Sequence, residues 1–341
     1  MPLFLATPPI SVATAHAFAA FFTFSYVGSL YLSKGARLYF KSGVKVDTRP
    51  GEEREKESEE RWRNDPDVIR ARLVAASLST ALSVGMVYWL VQSRPLSRMS
   101  STDADYMHPF APLQSTLTRL GLTLGFARNS PLWFILPCLV VPVLYLGPLY
   151  VSWLCETLPT QRRWSVRGSL LPLVSTWVGI RNYIVGPITE EVVFRACMLA
   201  VYHMAGSSRT KMIFLTPLAF GVAHFHHAWD TYNRYGRTAS AARVALLTTL
   251  FQTAYTSLFG FHCAYLFLRT GSLLPPTVSH IFCNIMGLPQ YSQHVRMFPN
   301  RRRAIQLAYI LGIAGYVYTM RQWTLADNSL FWPAPRQVAR Y

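Results

Sequence analysis

The chain has 341 residues, 51% of them hydrophobic and only 14% charged, against roughly 25% charged in an ordinary soluble domain, which excludes that class and points to a membrane protein. Its net charge of +17 is scattered over short loops between apolar runs, a distribution that fits a bilayer surface and argues against a nucleic-acid partner. Length alone would allow two soluble domains, but a transmembrane helix needs about 20 largely apolar residues, and such windows recur along the chain.

The first window, 10–33, lacks the basic cluster of a cleavable signal and is read as a retained span. Residues 34–72 follow as a block dense in both charges, holding nine of the sixteen acidic residues. They are read as a solvated linker or protruding helix with no chemistry of its own. A second window covers 73–92 and a third 132–155, where Pro137, Pro142 and Pro148 are tolerable if neighbouring helices satisfy the freed carbonyls. Further apolar stretches lie near 169–185, 188–204, 212–227, 243–268, 272–288 and 304–320. Polar segments at 229–243 and 292–304 are basic and suit anionic headgroups.

The expectation is therefore an all-α, polytopic membrane helix bundle of about eight transmembrane helices, some short or broken, forming a single integral membrane domain over 1–341. Basic residues on many loops leave its orientation open. No internal repeat stands out. Cys138, Cys155, Cys197, Cys263 and Cys283 all fall in apolar segments without CxxC spacing, so they read as small core residues.

Three stretches carry polar groups where the pattern calls for lipid. In GPITEEVVFRACM, residues 186–198, Gly186 and Pro187 can end one helix and start the next, with Thr189 as its cap. At 100° per residue Glu191 and Arg195 share a face at i and i+4 and can pair, whereas Glu190 points elsewhere. A charge near the bilayer centre costs about 2.5–3.5 kcal/mol even on a lenient scale. Pairing offsets this for Glu191 and Arg195, which makes Glu190 the candidate for chemistry rather than an interhelical hydrogen bond.

In LAFGVAHFHHAWD, residues 218–230, Phe220 and His224 again stand at i and i+4, while His226 and His227 near the helix end read as core or interfacial residues. In LLPPTVSHIFCNIMGLP, residues 273–289, Pro275 and Pro276 suit a helix start and His280 with Asn284 project from one face. One such pair is ordinary interhelical glue; polar stations on three helices favour a buried site.

Together these stretches resemble the membrane family of CAAX prenyl proteases and bacteriocin-processing enzymes, whose motifs are EExxxR, FxxxH and HxxxN. They stand here as Glu190-Glu191 to Arg195, Phe220 to His224, and His280 to Asn284. RNYIVGPITEEVVFR, FGVAHFHH and RTGSLLPPTVSHIFCN are most similar to the type II, Ras-converting branch of that family. The likeness is concentrated in 181–289, the expected catalytic core.

The resemblance implies a multi-pass endopeptidase of the endoplasmic reticulum membrane. Such an enzyme removes the last three residues from prenylated CAAX proteins such as small GTPases. Glu190 would act as general base, His224 would hold the water, and His280 and Asn284 would donate to the oxyanion. Glu191, Arg195 and Phe220 would support the site. No cofactor is expected.

Two other mechanisms stay open: a divalent metal on Glu190, His224 and His280, whose side chains are ordinary zinc ligands although no HExxH is present, and a Cys283 nucleophile, which would need a cation beside its thiolate. Outside peptidases, the same residues suit a proton or ion relay in a transporter, or a non-catalytic scaffold that binds prenylated proteins.

Overall fold

A computed structural model describes residues 5, 7–43, 45–46, 48–49, 52–93, 110–123, 132–324, 330–333 and 341. Helices dominate, and an isolated antiparallel bridge joins Tyr39 to Arg61. Among the described residues three helices are long and apolar enough to cross a membrane: Val12–Leu32, Pro66–Ser93 and Ala239–Thr270. These three are the unbroken members of an expected set of about eight, some of it short or broken. The apolar window at 132–155 is cut into Leu132–Cys138, Val140–Leu144 and Leu146–Leu154, with Pro137 inside the first piece. Hydropathy counts such a run as one span because it is blind to the hydrogen bond and the space a proline ring takes away.

The chain divides into two compact units. The first comprises Met1–Thr116, Val192–Ala264 and Tyr341. Here Val12–Leu32 packs on Pro66–Ser93 and on the helix Met198–Met204. Small buried residues, Ala15, Ala19, Ala76, Ser79 and Ser83, allow the long helices a close approach, and Ser79 reaches Ser25 across them at 3.3 Å. Residues 193–201 are buried on every side, which makes this segment the centre of the unit rather than an amphipathic surface helix. At Gly221, in the helix Thr216–Ala223, a Cβ would collide with the Ser257 hydroxyl of Ala239–Thr270, so glycine there lets the helix carrying Phe220 lie against its neighbour.

The charged block is not a solvated linker. Arg54 and Glu60 form an ion pair at 2.6 Å with side chains 1% and 0% exposed. Glu60 also accepts hydrogen bonds from the backbone N–H groups of Lys41 and Glu57 and from the Trp62 indole. The block then docks on the second polar insert. Arg54 donates from Nε to the Asn233 carbonyl at 2.9 Å and from its backbone N–H to that of Arg234 at 2.8 Å. Arg237 donates to the Lys41 carbonyl at 2.6 Å, and Glu53 pairs with Arg234 at 2.6 Å. Two segments far apart in sequence therefore close a polar cap on this unit.

Burial pushes the Glu60 carboxyl up, but the hydrogen bonds from Arg54, Lys41, Trp62 and Glu57 outweigh it and hold the group down at about 2 instead of 4.5. The cap thus gains stability that is complete above about pH 4.5 and is lost as the pH falls towards 2. Amide exchange over residues 52–62 is expected to quicken across that window. Glu60→Gln should already open the cap at neutral pH, because stranding a buried Arg54 costs about 3–5 kcal/mol. Exchange that ignores both changes would show that the cap does not rest on this pair.

The second unit comprises Leu117–Glu191 and Tyr265–Arg340. The helix Arg302–Gln322 lies against Val140–Leu144 and Leu146–Leu154, while Leu274–Met286 packs against Leu132–Cys138, the turn Ile180–Val185 and the helix Gly186–Glu191. Pro275 and Pro276 open Leu274–Met286, as their fixed φ favours. Gly287 closes it with φ 66°, its N–H donating to the Cys283 carbonyl.

Candidate active site

The segment Gly186–Glu191 is α-helical, but it is flanked by two π-helical turns, Ile180–Val185 and Val192–Cys197. Bonding from i to i+5 rotates the chain less per residue than an α-helix does, and such turns are frequent at functional sites. The 100° arithmetic applied to Glu191 and Arg195 therefore fails beyond Glu191. Thr189 is not a cap either: it lies inside the helix and donates to the Val185 carbonyl at 2.7 Å.

In the second unit the helix Leu274–Met286 brings His280 against both glutamates. Glu191 Oε1 accepts from His280 Nδ1 at 2.7 Å, and Glu190 Oε2 lies 3.8 Å from Nε2 of the same ring. Spacing along one helix did not disclose this contact with His280. Burial sorts the carboxylates instead: the Glu191 side chain is sealed at 0% exposure, while Glu190 keeps 25%. With its Nδ1–H committed to Glu191, a neutral His280 turns the lone pair of Nε2 towards Glu190. A carboxylate in the position of Glu191 fixes both the tautomer and the ring plane.

Asn284, one turn further on, donates from Nδ2 to the Asn182 carbonyl at 2.8 Å. The amide nitrogen carries two hydrogens, so this bond orients the group without exhausting it. Asn182 sits in the π-helical turn before the glutamates, and nothing in its sequence context marked it. Tyr145 was missed as well: its hydroxyl donates to the Gly287 carbonyl at 2.9 Å and its ring packs edge-on against Phe282 at 5.4 Å, which ties down the end of the histidine helix. Aromatic residues are too common in apolar runs to have signalled this.

In the first unit Arg195 is fully buried, with its guanidinium 4.3 Å from the centre of the Phe220 ring, a cation–π contact that desolvation strengthens. Phe194 and Tyr26 extend the stack. The i, i+4 relation of Phe220 and His224 gives an edge-to-face contact at 4.8 Å. His224 ends the helix, and its Nδ1 lies 2.8 Å from the Phe220 carbonyl. A carbonyl only accepts, so Nδ1 carries a proton, and in the neutral ring Nε2 is the nitrogen with the lone pair.

Among the described residues no three His, Cys, Asp or Glu side chains converge at metal-binding spacing. No disulfide joins any of the five cysteines; Cys197 and Cys263 are buried, while Cys138, Cys155 and Cys283 are half-buried.

Fold and site together define an all-helical membrane protein with a carboxylate–imidazole cluster held between helices. Residues 172–286 match the family model described as type II CAAX prenyl endopeptidase, Rce1-like. The chain is 35% identical over 184 residues to a probable CAAX prenyl protease 2 of Schizosaccharomyces pombe, an alignment spanning 54% of this chain and 64% of that protein. It is 31% identical to CAAX prenyl protease 2 of Caenorhabditis elegans over 76% of this chain and 86% of the relative, and 30% identical to that of Homo sapiens over 91% and 80%. No solved structure matches. The chain belongs to the Rce1-like family of type II CAAX prenyl endopeptidases.

Proposed function

We propose that this protein is a multi-pass endopeptidase of the endoplasmic reticulum membrane that removes the C-terminal three residues from prenylated CAAX proteins, small GTPases among them, without a cofactor. The observation that carries the chemistry is the bracket of Glu190, His280 and Glu191, which sets one partly exposed carboxylate beside an imidazole held by a sealed one. The family membership supplies the substrate class.

In this reading Glu190 takes a proton from water as the oxygen attacks the scissile carbonyl, and returns it to the amine as the C–N bond breaks. His224, with its Nδ1 proton held by Phe220, accepts from that water through Nε2; the family motif, not a distance, carries this assignment. Asn284 supplies an oxyanion donor that needs no change of protonation. His280 can donate through Nε2 only when its ring carries both protons.

Purified protein incubated with a prenylated and an unprenylated CAAX peptide, followed by mass analysis, tests the reading: loss of three residues from the prenylated peptide is expected. Bound peptide without product would instead favour a scaffold, and proton-dependent flux in liposomes a relay. Stringent chelation is expected to leave turnover intact, as is each single Cys→Ala substitution. Loss on chelation with recovery on restoring one divalent ion would move the water to a metal; loss in Cys283→Ala alone would move the attack to sulfur.

A further inference from the structure

One junction of the second unit has no part in the chemistry above: the step from the π-helical turn Ile180–Val185 into the helix Gly186–Glu191. In a π-helical turn each carbonyl accepts from the N–H five residues further on. The Arg181 carbonyl does so, taking the Gly186 N–H, and the fit is close enough that a Cβ on Gly186 would collide with that oxygen. The next carbonyl in line, that of Asn182, calls for the N–H of residue 187. That residue is Pro187, which has none to give.

A carbonyl freed by proline within a membrane protein is satisfied from a neighbouring helix. Here the donor is Asn284, whose Nδ2 meets the Asn182 carbonyl at 2.8 Å across 102 residues of chain. Because a carbonyl only accepts, the bond also decides which way the amide faces, nitrogen towards Asn182 and Oδ1 away from it. Arg181 steadies the acceptor's own side chain, donating from Nε to Asn182 Oδ1 at 2.9 Å. Asn284 is exposed, so its second amide hydrogen can meet a substrate oxygen.

We infer that Pro187 is a positioning residue for Asn284: by withholding an N–H from the Asn182 carbonyl, it leaves that oxygen to aim the amide that donates to the oxyanion. Pro187 is buried and carries no group that could take part in hydrolysis, so its contribution lies in the direction it gives to Asn284. An alanine there would restore an N–H directed along the helix at the Asn182 carbonyl. That oxygen has two lone pairs, but an axial donor draws it back into the helix and loosens its hold on Asn284.

This assignment rests on the endopeptidase reading, and the experiment separates the two. Full-length protein in phosphatidylcholine nanodiscs is given a farnesylated CAAX peptide, and kcat and KM are measured separately. A neutral hydrogen bond is worth about 3- to 10-fold, so Pro187→Ala should lower kcat by that factor. KM should stay within about twofold, since the oxyanion forms only in the transition state. In an Asn284→Ala background the same change should cost nothing further, because the group it positions is gone. Lactate in place of Pro187, introduced by cell-free translation, gives an alanine-sized residue joined by an ester without an N–H, and should keep kcat within about twofold of the parent. Parental kcat in Pro187→Ala, an equal loss with lactate, or a loss that persists undiminished without Asn284 would each overturn the assignment. Should Pro187→Ala fail to fold, the lactate protein decides alone: a parental rate upholds the assignment and a slow one overturns it. No cleavage of the farnesylated peptide by the parent would strike the endopeptidase reading itself, and the role of Asn284 with it.

Discussion

Glu190→Gln is expected to lower cleavage of a prenylated peptide by about a hundred- to ten-thousandfold, the range in which a positioned acid or base contributes, while the protein stays folded. The substitution is nearly isosteric. The group is a quarter exposed and lies 3.8 Å from His280 Nε2, so a neutral amide can be solvated there. Glu191→Gln should behave differently, because that carboxylate is sealed and holds His280 Nδ1 at 2.7 Å. Removing its charge costs yield and thermal stability as well as rate, since a buried charge-assisted hydrogen bond to His280 Nδ1–H is replaced by a weaker neutral one. The comparison is read from single-turnover rates beside a melting curve. Full activity in folded Glu190→Gln would end the general-base assignment. Loss of activity in both variants with unchanged melting would erase the distinction that burial draws between them.

The second large effect concerns the helix Leu274–Met286. Asn284→Ala is expected to lower kcat by about a hundred- to a thousandfold, the usual consequence of deleting one oxyanion donor. Affinity for a prenylated, non-cleavable peptide should stay within a few fold. The reason is that the donor meets charge that appears only in the transition state, whereas the lipid supplies ground-state binding. His280→Ala should cost at least as much, because it removes the group standing between both glutamates. If either variant lost peptide affinity and kept its maximal rate, that residue would be binding the ground state and the oxyanion role would have to go.

Much of the site was legible before any coordinates. The prolines at 275 and 276 and the pairing of Phe220 with His224 one turn apart follow from local rules, since each depends on residues within four positions of one another. The division between Glu190 and Glu191 did not follow. It was argued from α-helical rotation, and the π-helical turn from Val192 onwards breaks that arithmetic. The hydrogen bond that distinguishes Glu191 reaches 89 residues along the chain, to His280.

The polar segments teach the same lesson from the other side. Charge density alone read 34–72 as solvated, because a sequence shows how many charges a segment holds but not which will be paired. Arg54 and Glu60 are six residues apart, yet their burial depends on Asn233 and Arg234 closing over them.

By itself the sequence determined that this is a helical membrane protein and which family's motifs it carries, because apolar composition and short-range spacing are local properties. Only the tertiary structure decided which apolar runs are continuous helices and which glutamate is sealed against His280. Those outcomes depend on contacts between segments tens to hundreds of residues apart, where packing, and not propensity, fixes each partner.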